Sequence, residues 1–181
     1  MTTETAVRTW NIDASHSIAE FAVRHMMVST VKGRFGRLEG VIEGDETDPT
    51  ASSVRATIDV ASIDTHDEQR DAHLRSDDFF NAERYPHLTF VGKRVERVDA
   101  ENFRVVGDLT IRDVTKEVVL DTEFEGQVRD PYGNMRAGFT ATTQINRRDF
   151  GVNFNGVLET GGVIVSDKVK ITLHIEAVRP A

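Results

Sequence analysis

Apolar and polar residues alternate with a period of two along nearly the whole chain, the pattern of half-buried β-strands. Every second residue is apolar most clearly in five segments: residues 53–60, 103–112, 117–125, 135–146 and 168–177. A shift of one residue in such a strand would expose its whole apolar face, so each register is well defined. The sequence therefore predicts an all-β fold.

Weaker alternation predicts further strands at residues 9–13, 17–25, 32–43 and 87–98, for eight or nine strands in total. Turn-forming residues separate the strands and predict hairpins in a mainly antiparallel sheet. Strands of about ten residues span roughly 33 Å, which is long for a sandwich of this size. We therefore expect the sheet to close into a barrel.

One stretch breaks the strand pattern and predicts a short helix near residues 66–75. Thr65 and Glu68 have the spacing of a capping box, and acidic residues are frequent in the first turn. We expect this helix to cross outside the sheet or over one of its ends.

The predicted inward faces carry several small residues among the large ones: Ala19, Ala56, Gly92, Gly107, Ala137, Ala141 and Ala177. A small barrel is either filled by its own side chains or holds one ligand. The small residues favour a hollow barrel, although alternation of small and large side chains would also fit the taper of a filled one.

Length and charge restrict the class of protein. A chain of 181 residues fits one domain over residues 1–181, and its net charge of −8 without a basic stripe argues against a nucleic-acid partner. The absence of cysteine excludes disulfides and thiolate metal sites. The first ten residues lack a signal-peptide pattern, and no apolar run is long enough to span a membrane, so we expect a cytoplasmic protein.

The histidines do not form a recognisable metal or catalytic motif. His66 and His73 are close in sequence to Asp67 and Asp71, but acidic residues at a helix start are explained by capping, so we predict no metal and no cofactor. His25 shares the apolar register of its strand, which favours an interior histidine over a catalytic base.

The pair Arg147 and Arg148 at a predicted strand end has two interpretations that the sequence leaves open. These arginines could bind an anionic head group through charge-assisted hydrogen bonds, or they could pair with the adjacent Asp149 within the same loop.

Several ordered motifs resemble those of the YceI-like family over nearly the full length of the chain. They are Trp10-Asn11-Ile12-Asp13 with His16-Ser17, Phe21-Ala22-Val23-Arg24-His25-Met26, Ser62-Ile63-Asp64-Thr65, Arg70-Asp71-Ala72-His73-Leu74-Arg75-Ser76-Asp77-Asp78-Phe79-Phe80, Tyr85-Pro86-His87-Leu88-Thr89-Phe90, Leu109-Thr110-Ile111-Arg112-Asp113-Val114-Thr115-Lys116 and Asn146-Arg147-Arg148-Asp149-Phe150-Gly151. The resemblance implies an extended, lipocalin-like, eight-stranded antiparallel barrel. Its elongated apolar cavity would hold a polyisoprenoid or another long-chain amphiphile.

On this basis we predict a non-enzymatic carrier, storage or sequestration protein for a long-chain isoprenoid lipid. The residues predicted to contact the ligand are Phe21, Val23, His25, Met26, Phe35, Phe79, Phe80, Phe90, Leu109, Phe139, Ala141, Ile145, Arg147 and Phe150. Two alternatives remain at this point: a small enzyme that uses His25 or the 147–149 loop on a lipid-linked substrate, and a ligand-free stress-related scaffold. A transient membrane contact and a homodimer are also left open.

Overall fold

The computed structural model describes residues 7–156 and 164–181, which form eleven strands, one α-helix and two short 3-10 helices. The strands are β1 (Arg8–Ile12), β2 (Ile18–His25), β3 (Ser29–Phe35), β4 (Leu38–Asp45), β5 (Asp48–Asp59), β6 (Ile63–Asp64), β7 (His87–Arg97), β8 (Asn102–Ile111), β9 (Val114–Arg129), β10 (Met135–Asn146) and β11 (Lys168–Arg179). The α-helix, α1, is Glu68–Arg75, and the 3-10 helices are Val60–Ser62 and Arg147–Phe150.

Three pairs of short strands continue one another, so the eleven strands form eight long ones. β1 continues into β2, β3 into β4, and β5 into β6. β1 pairs with β4 and β2 pairs with β3. On the next side, β4 pairs with β5 and β3 pairs with β6. The interruptions lie at residues 13–17, 36–37 and 60–62. The predicted strand over residues 32–43 is therefore two strands, because the backbone N–H of Gly36 turns away to the carbonyl of Ser62.

The last strand closes the sheet. β11 pairs with β10 along one edge, while its other edge pairs with β2 through residues 170–174 and with β1 through residues 177–178. All strand pairs are antiparallel. Closure leaves no long open edge and confirms the predicted eight-stranded antiparallel barrel.

The connections alternate between two ends of this barrel. One end, called here the helix end, carries the β2–β3 turn at residues 26–28, the 60–86 connection with α1, and residues 147–156 and 164–167 of the connection that leads to β11. The opposite end, called the far end, carries the turns at residues 46–47, 98–101 and 130–134.

The helix lies where the sequence predicts it, but its cap differs from the expected capping box. Asp67 is the N-cap, and its carboxylate accepts the backbone N–H of Arg70 at 2.9 Å. His66 has a φ of +61°, in the left-handed region, so the helix cannot extend back toward Thr65. Thr65 instead donates its hydroxyl to the buried carboxylate of Asp71 and ties α1 to β6. Within the part of the chain that is described, no helix is long and apolar enough to span a membrane.

Two packed clusters occupy the interior, one toward each end. The cluster at the helix end consists of Ala19, Phe35, Val60, Ile63, Phe79, Leu88, Ile111, Phe150 and Val152. The cluster at the far end consists of Trp10, Ala137 and Ala177, with Ile42, Phe124, Met135 and Phe139 packed against it.

The guanidinium of Arg136 joins three segments at the far end. Its Nη1 donates to Asp13 Oδ2 at 2.9 Å and to Glu176 Oε1 at 2.7 Å, and its Nε donates to Asp130 Oδ2 at 2.9 Å. Asp13 follows β1, Glu176 lies in β11, and Asp130 lies in the β9–β10 turn. One side chain therefore fastens the corner between β1 and β2 to the strand that closes the barrel.

The pKa shifts of this network show which charge states it stabilises. Hydrogen bonds from Ser15, His16 and Arg136 hold the pKa of Asp13 well below its ordinary value. Burial favours the neutral form of Asp130, but the hydrogen bonds from Arg136 and the 130–134 turn prevail and lower its pKa to about 2. The stability that ionised Asp130 contributes to the folded state is thus complete above about pH 4 and is lost as the pH falls toward 2.

We expect Arg136→Leu to lower the free energy of unfolding by about 1–3 kcal/mol, because three partly buried carboxylates lose a charged donor. Urea unfolding at neutral pH measures this change. Arg94→Leu is the matched control, since Arg94 forms a solvent-exposed pair with Glu96 and should change stability by less than about 1 kcal/mol. Equal urea midpoints for the two variants would contradict the proposed role of Arg136.

Candidate ligand-binding cavity

An elongated cavity of about 820 Å³ lies inside the barrel. Its lining includes residues from both ends, from His73 and Phe154 at the helix end to Trp10 and Gly44 at the far end. The cavity therefore follows the barrel axis between the two packed clusters. Its volume lies in the upper part of the range of about 300–1,000 Å³ that is typical of small-molecule sites.

The wall of the cavity is predominantly apolar because alternate residues of each long strand point inward. Aliphatic side chains from around the barrel contribute to it: Ile12, Val31, Leu38, Ile42, Val54, Ile58, Val95, Val105, Val118, Leu120, Val169, Ile171, Leu173 and Ile175. Aromatic pairs stand at both ends, with ring centroids 5.6 Å apart for Phe21–Phe35 and 5.5 Å apart for Phe124–Phe139. A ligand in the cavity would contact apolar side chains along most of the length of the cavity.

Most residues predicted from the sequence to contact a ligand are part of this lining. They are Phe21, Val23, His25, Phe35, Phe79, Phe80, Phe90, Leu109, Phe139, Ala141, Ile145 and Arg147. Two lie elsewhere. Met26 is exposed in the β2–β3 turn, and Phe150 is 2% exposed within the packed cluster at the helix end.

The small inward residues have two different roles. Ala19, Ala56, Ala137 and Ala141 line the cavity and leave space beside it. Gly92, Gly107 and Ala177 do not, and the space beside them is filled by neighbours. A Cβ at Gly107 would lie 2.5 Å from Cζ of Phe90, and one at Gly92 would lie 2.8 Å from Cγ1 of Val54. The expectation that every small inward residue leaves room for a ligand is therefore wrong for these three.

Arg147 is buried and bound to backbone carbonyls. Its Nη1 donates to the carbonyl of Val152 at 2.7 Å and its Nε to that of Ser166 at 3.0 Å. Burial lowers its pKa from the ordinary value, although the nearby carboxylate of Asp167 opposes this. These bonds connect the two described parts of the 147–167 connection, which gives Arg147 a structural role at the cavity edge.

Arg148 does not pair with Asp149, as one interpretation of the sequence had it. Its Nε donates to Asp167 Oδ1 at 2.7 Å, just before β11, while Asp149 is exposed. The partner lies nineteen residues after Arg148 in the chain, so its identity could not be read from local sequence.

Polar residues of the lining differ between the two ends. Arg70 and His73 of α1 lie at the helix end, whereas the two carboxylates of Asp45 and Glu46 lie at the far end together with one cation, Arg97. Arg70 donates Nε to Thr65 Oγ1 at 2.8 Å and Nη2 to the Thr65 carbonyl at 2.7 Å, which are neutral acceptors. No carboxylate among the described residues forms an ion pair with it. Arg70 was missed from the sequence because strand periodicity does not show which face of α1 meets the barrel.

The helix-end histidines do not assemble into the metal site considered from the sequence. The His73 ring contacts Asp78 through Nε2 at 2.8 Å and packs against Phe79 and Phe154, while His66 precedes the helix near Asp64. A different group, Asp13, His16 and Glu176, has ligand atoms within 4.8 Å of one another. There the guanidinium of Arg136 already binds both carboxylates.

Comparison with known sequences identifies the family of this chain. The YceI-like domain family matches residues 10–177. A UPF0312 protein from Staphylococcus epidermidis is 44% identical over 168 residues, covering 92% of this chain and 95% of that protein. A UPF0312 protein from Staphylococcus aureus is 42% identical with the same coverage.

Solved structures share the fold. BcnA from Burkholderia cenocepacia superposes with a TM-score of 0.80 at 25% identity, covering 91% of this chain and 98% of that one. A Campylobacter jejuni YceI protein superposes with a TM-score of 0.73 at 33% identity, covering 87% of this chain and 90% of that one. A polyisoprenoid-binding domain from Saccharophagus degradans superposes with a TM-score of 0.70 at 17% identity, covering 97% of this chain and 100% of that one. At this identity the similarity is one of fold.

Ala141→Phe tests whether the cavity is open space. Ala141 lines the cavity, so the larger ring should occupy vacant volume, weaken uptake of an apolar fluorescent dye several-fold, and leave the urea midpoint level or higher. Ala177→Phe is the control, because Ala177 is fully buried outside the lining and should lose about 1–3 kcal/mol of stability from overpacking. A destabilised Ala141→Phe protein that still binds the dye would show that this position is packed core.

Proposed function

Because this chain belongs to the YceI-like family and encloses an elongated apolar cavity, we propose that it binds a long-chain isoprenoid lipid or a similar amphiphile inside the barrel. The protein would act as a carrier, store or sequestering agent that keeps the chain of the lipid out of water. The cavity is the observation that supports this most strongly, since the side chains of a protein interior normally pack closely and do not line an apolar space of this length.

Transfer of the lipid chain from water supplies the binding energy. Each methylene removed from water contributes about 0.8 kcal/mol, so a longer chain binds more tightly until the cavity is full. The aliphatic wall offers few hydrogen bonds along its length, which favours an unfunctionalised hydrocarbon chain over a sugar or a peptide. The neighbour from Saccharophagus degradans, described as polyisoprenoid-binding, is consistent with such a ligand.

The polar lining indicates which way the lipid lies. The Arg70 guanidinium donates only to the two neutral oxygens of Thr65, while Asp45 and Glu46 place two carboxylates against the single cation Arg97 at the far end. A phosphate head group would be attracted to Arg70 and repelled by the two far-end carboxylates. We therefore orient the lipid with its head at the helix end and its tail toward Trp10.

The two groups that the sequence offered for catalysis, His25 and the 147–149 loop, are not arranged for it. A catalytic histidine needs a partner that orients its ring, and the His25 ring forms no hydrogen bond with any described residue. Asp149 is exposed, and Arg147 is bound to carbonyls, so the 147–149 loop does not present a general base beside a nucleophile to the cavity. We do not propose a reaction for this site.

Organic extraction of the purified protein followed by mass spectrometry tests the proposal. We expect a long-chain lipid in stoichiometric amount. Delipidated protein should then bind isoprenoid alcohols with affinity that increases with chain length up to a plateau, measured by displacement of a fluorescent lipid. Affinity that is independent of chain length would contradict burial of the chain.

The same displacement assay tests the orientation of the head group. Arg70→Gln should weaken binding of an isoprenoid phosphate by about 1–2 kcal/mol and leave the matching alcohol unchanged, because a charge-assisted hydrogen bond is lost. Arg148→Gln is the control, since Arg148 pairs with Asp167 and is not part of the lining. Equal loss for phosphate and alcohol would contradict a head group at Arg70.

A further inference from the structure

The turn between β2 and β3 presents three consecutive apolar side chains to solvent. Met26, Met27 and Val28 are 39%, 58% and 78% exposed. Isolated exposed apolar residues are common, but three in succession at the tip of a hairpin form a protruding apolar surface. We call residues 26–28 the apolar tip.

The backbone of the apolar tip favours other residues. Met26 and Met27 have φ values of +50° and +59°, in the left-handed region that Asn and Gly adopt most readily in tight hairpins. The backbone N–H of Val28 closes the turn on the carbonyl of His25 at 3.1 Å. The turn geometry therefore does not account for two methionines here, and their side chains require another explanation.

The apolar tip lies beside the cavity. The backbone N–H of Met26 donates to the carbonyl of Ile164 at 2.8 Å, and both Ile164 and His25 line the cavity. Phe154, another lining residue at the helix end, is 37% exposed, so the cavity lining reaches the surface here.

Cations flank the apolar tip on the outer surface of three adjacent strands. Lys32 on β3 and Lys170 on β11 are paired with Ala22 of β2, so both point to the same face, and Lys168 lies two residues before Lys170. None of these lysines forms an ion pair with a carboxylate of the described chain. They contrast with a net charge of −8 for the whole protein.

Arg24 adds a fourth cation at the base of the tip. Its Nη1 donates to Thr30 Oγ1 at 2.9 Å and its Nη2 to the carbonyl of Met27 at 3.1 Å. Both acceptors are neutral, so the guanidinium is held against the turn with its charge uncompensated. Within residues 7–156 and 164–181 it has no carboxylate partner.

The far end also exposes apolar side chains, but Val98, Val128 and Tyr132 are not consecutive in the chain. Its cation beside Tyr132 is Arg129, which donates to the carbonyl of Gly133 at 3.0 Å. Val98 is followed by Asp99, and Tyr132 lies in a turn organised by the carboxylate of Asp130. The apolar tip combines three consecutive apolar side chains with several cations, so an anionic surface should favour this tip over the far end.

We propose that the apolar tip docks this protein on a lipid bilayer that carries anionic head groups. Met26, Met27 and Val28 enter the interfacial region, while Arg24 and the three lysines contact lipid phosphates. Docking in this orientation brings the helix end of the cavity to the membrane, where a lipid can pass between bilayer and barrel with little exposure to water. The exchange step rests on the proposed function, whereas docking does not.

The absence of cysteine allows a single-site test. Val28→Cys, labelled with an environment-sensitive dye, should show a blue shift on phosphatidylcholine vesicles that contain phosphatidylglycerol and a much smaller one on phosphatidylcholine alone. Tyr132→Cys with the same dye is the far-end control and should not respond. An unresponsive Val28 label, or equal responses at both positions, would overturn the proposal.

A second variant separates docking from folding and from lipid binding in solution. Met26→Asn/Met27→Gly/Val28→Thr replaces the apolar tip with residues suited to the turn, so its urea midpoint should be level or higher. We expect vesicle binding to fall about tenfold or more in co-sedimentation, while displacement of a fluorescent lipid without vesicles is unchanged. Unchanged co-sedimentation would overturn docking by the tip, even if the cavity binds lipid as proposed. Co-sedimentation lost together with solution binding would overturn the separation of tip and cavity.

Discussion

Closure of the sheet by β11 is the constraint on which the rest of the structure depends. One edge of β11 must pair with two other strands: the first half of β11 pairs with β2, and its second half pairs with β1. The chain therefore has to turn a corner at residues 13–17, and the carboxylate of Asp13 and the guanidinium of Arg136 hold that corner against β11. Without closure the long strands would expose unpaired edges and an apolar inner face, which in a single sheet lead to aggregation. With closure, the inner face surrounds a volume that the side chains do not fill.

The cavity follows from how the interior is packed. Bulky clusters occupy the two ends, where Phe150 and Val60 on one side and Trp10 on the other are almost completely buried. Between them the strands contribute single aliphatic side chains and alanines, which line the barrel without meeting across it. The ends supply the packing that stabilises the fold, and the middle supplies the binding site. A change at Ala177 should accordingly affect stability, and a change at Ala141 should affect binding.

Much of this structure could be predicted from the sequence, because the period of two fixes which residues point inward. The barrel, the position of the helix and most of the cavity lining follow from that pattern and from the family motifs. Features that depend on contacts between residues far apart in the sequence could not be predicted from it. The split of the 32–43 segment requires Ser62, the partner of Arg148 is Asp167, and the space beside Gly107 is filled by Phe90. Arg70 and the exposed apolar tip lie on a helix and a turn, where strand periodicity carries no information about orientation.

The central claim is that a lipid chain lies inside the barrel, and methyl NMR of delipidated protein titrated with a long-chain isoprenoid alcohol tests it most directly. Inward methyl groups, such as those of Ile58, Leu109 and Ile171, should shift in proportion to occupancy up to one ligand per barrel. Methyl groups of Val91, Val119 and Val128, which are exposed on the outer surface, should remain where they are. Shifts confined to the outer valines, or a titration with no change in the inward methyl groups, would contradict binding inside the cavity.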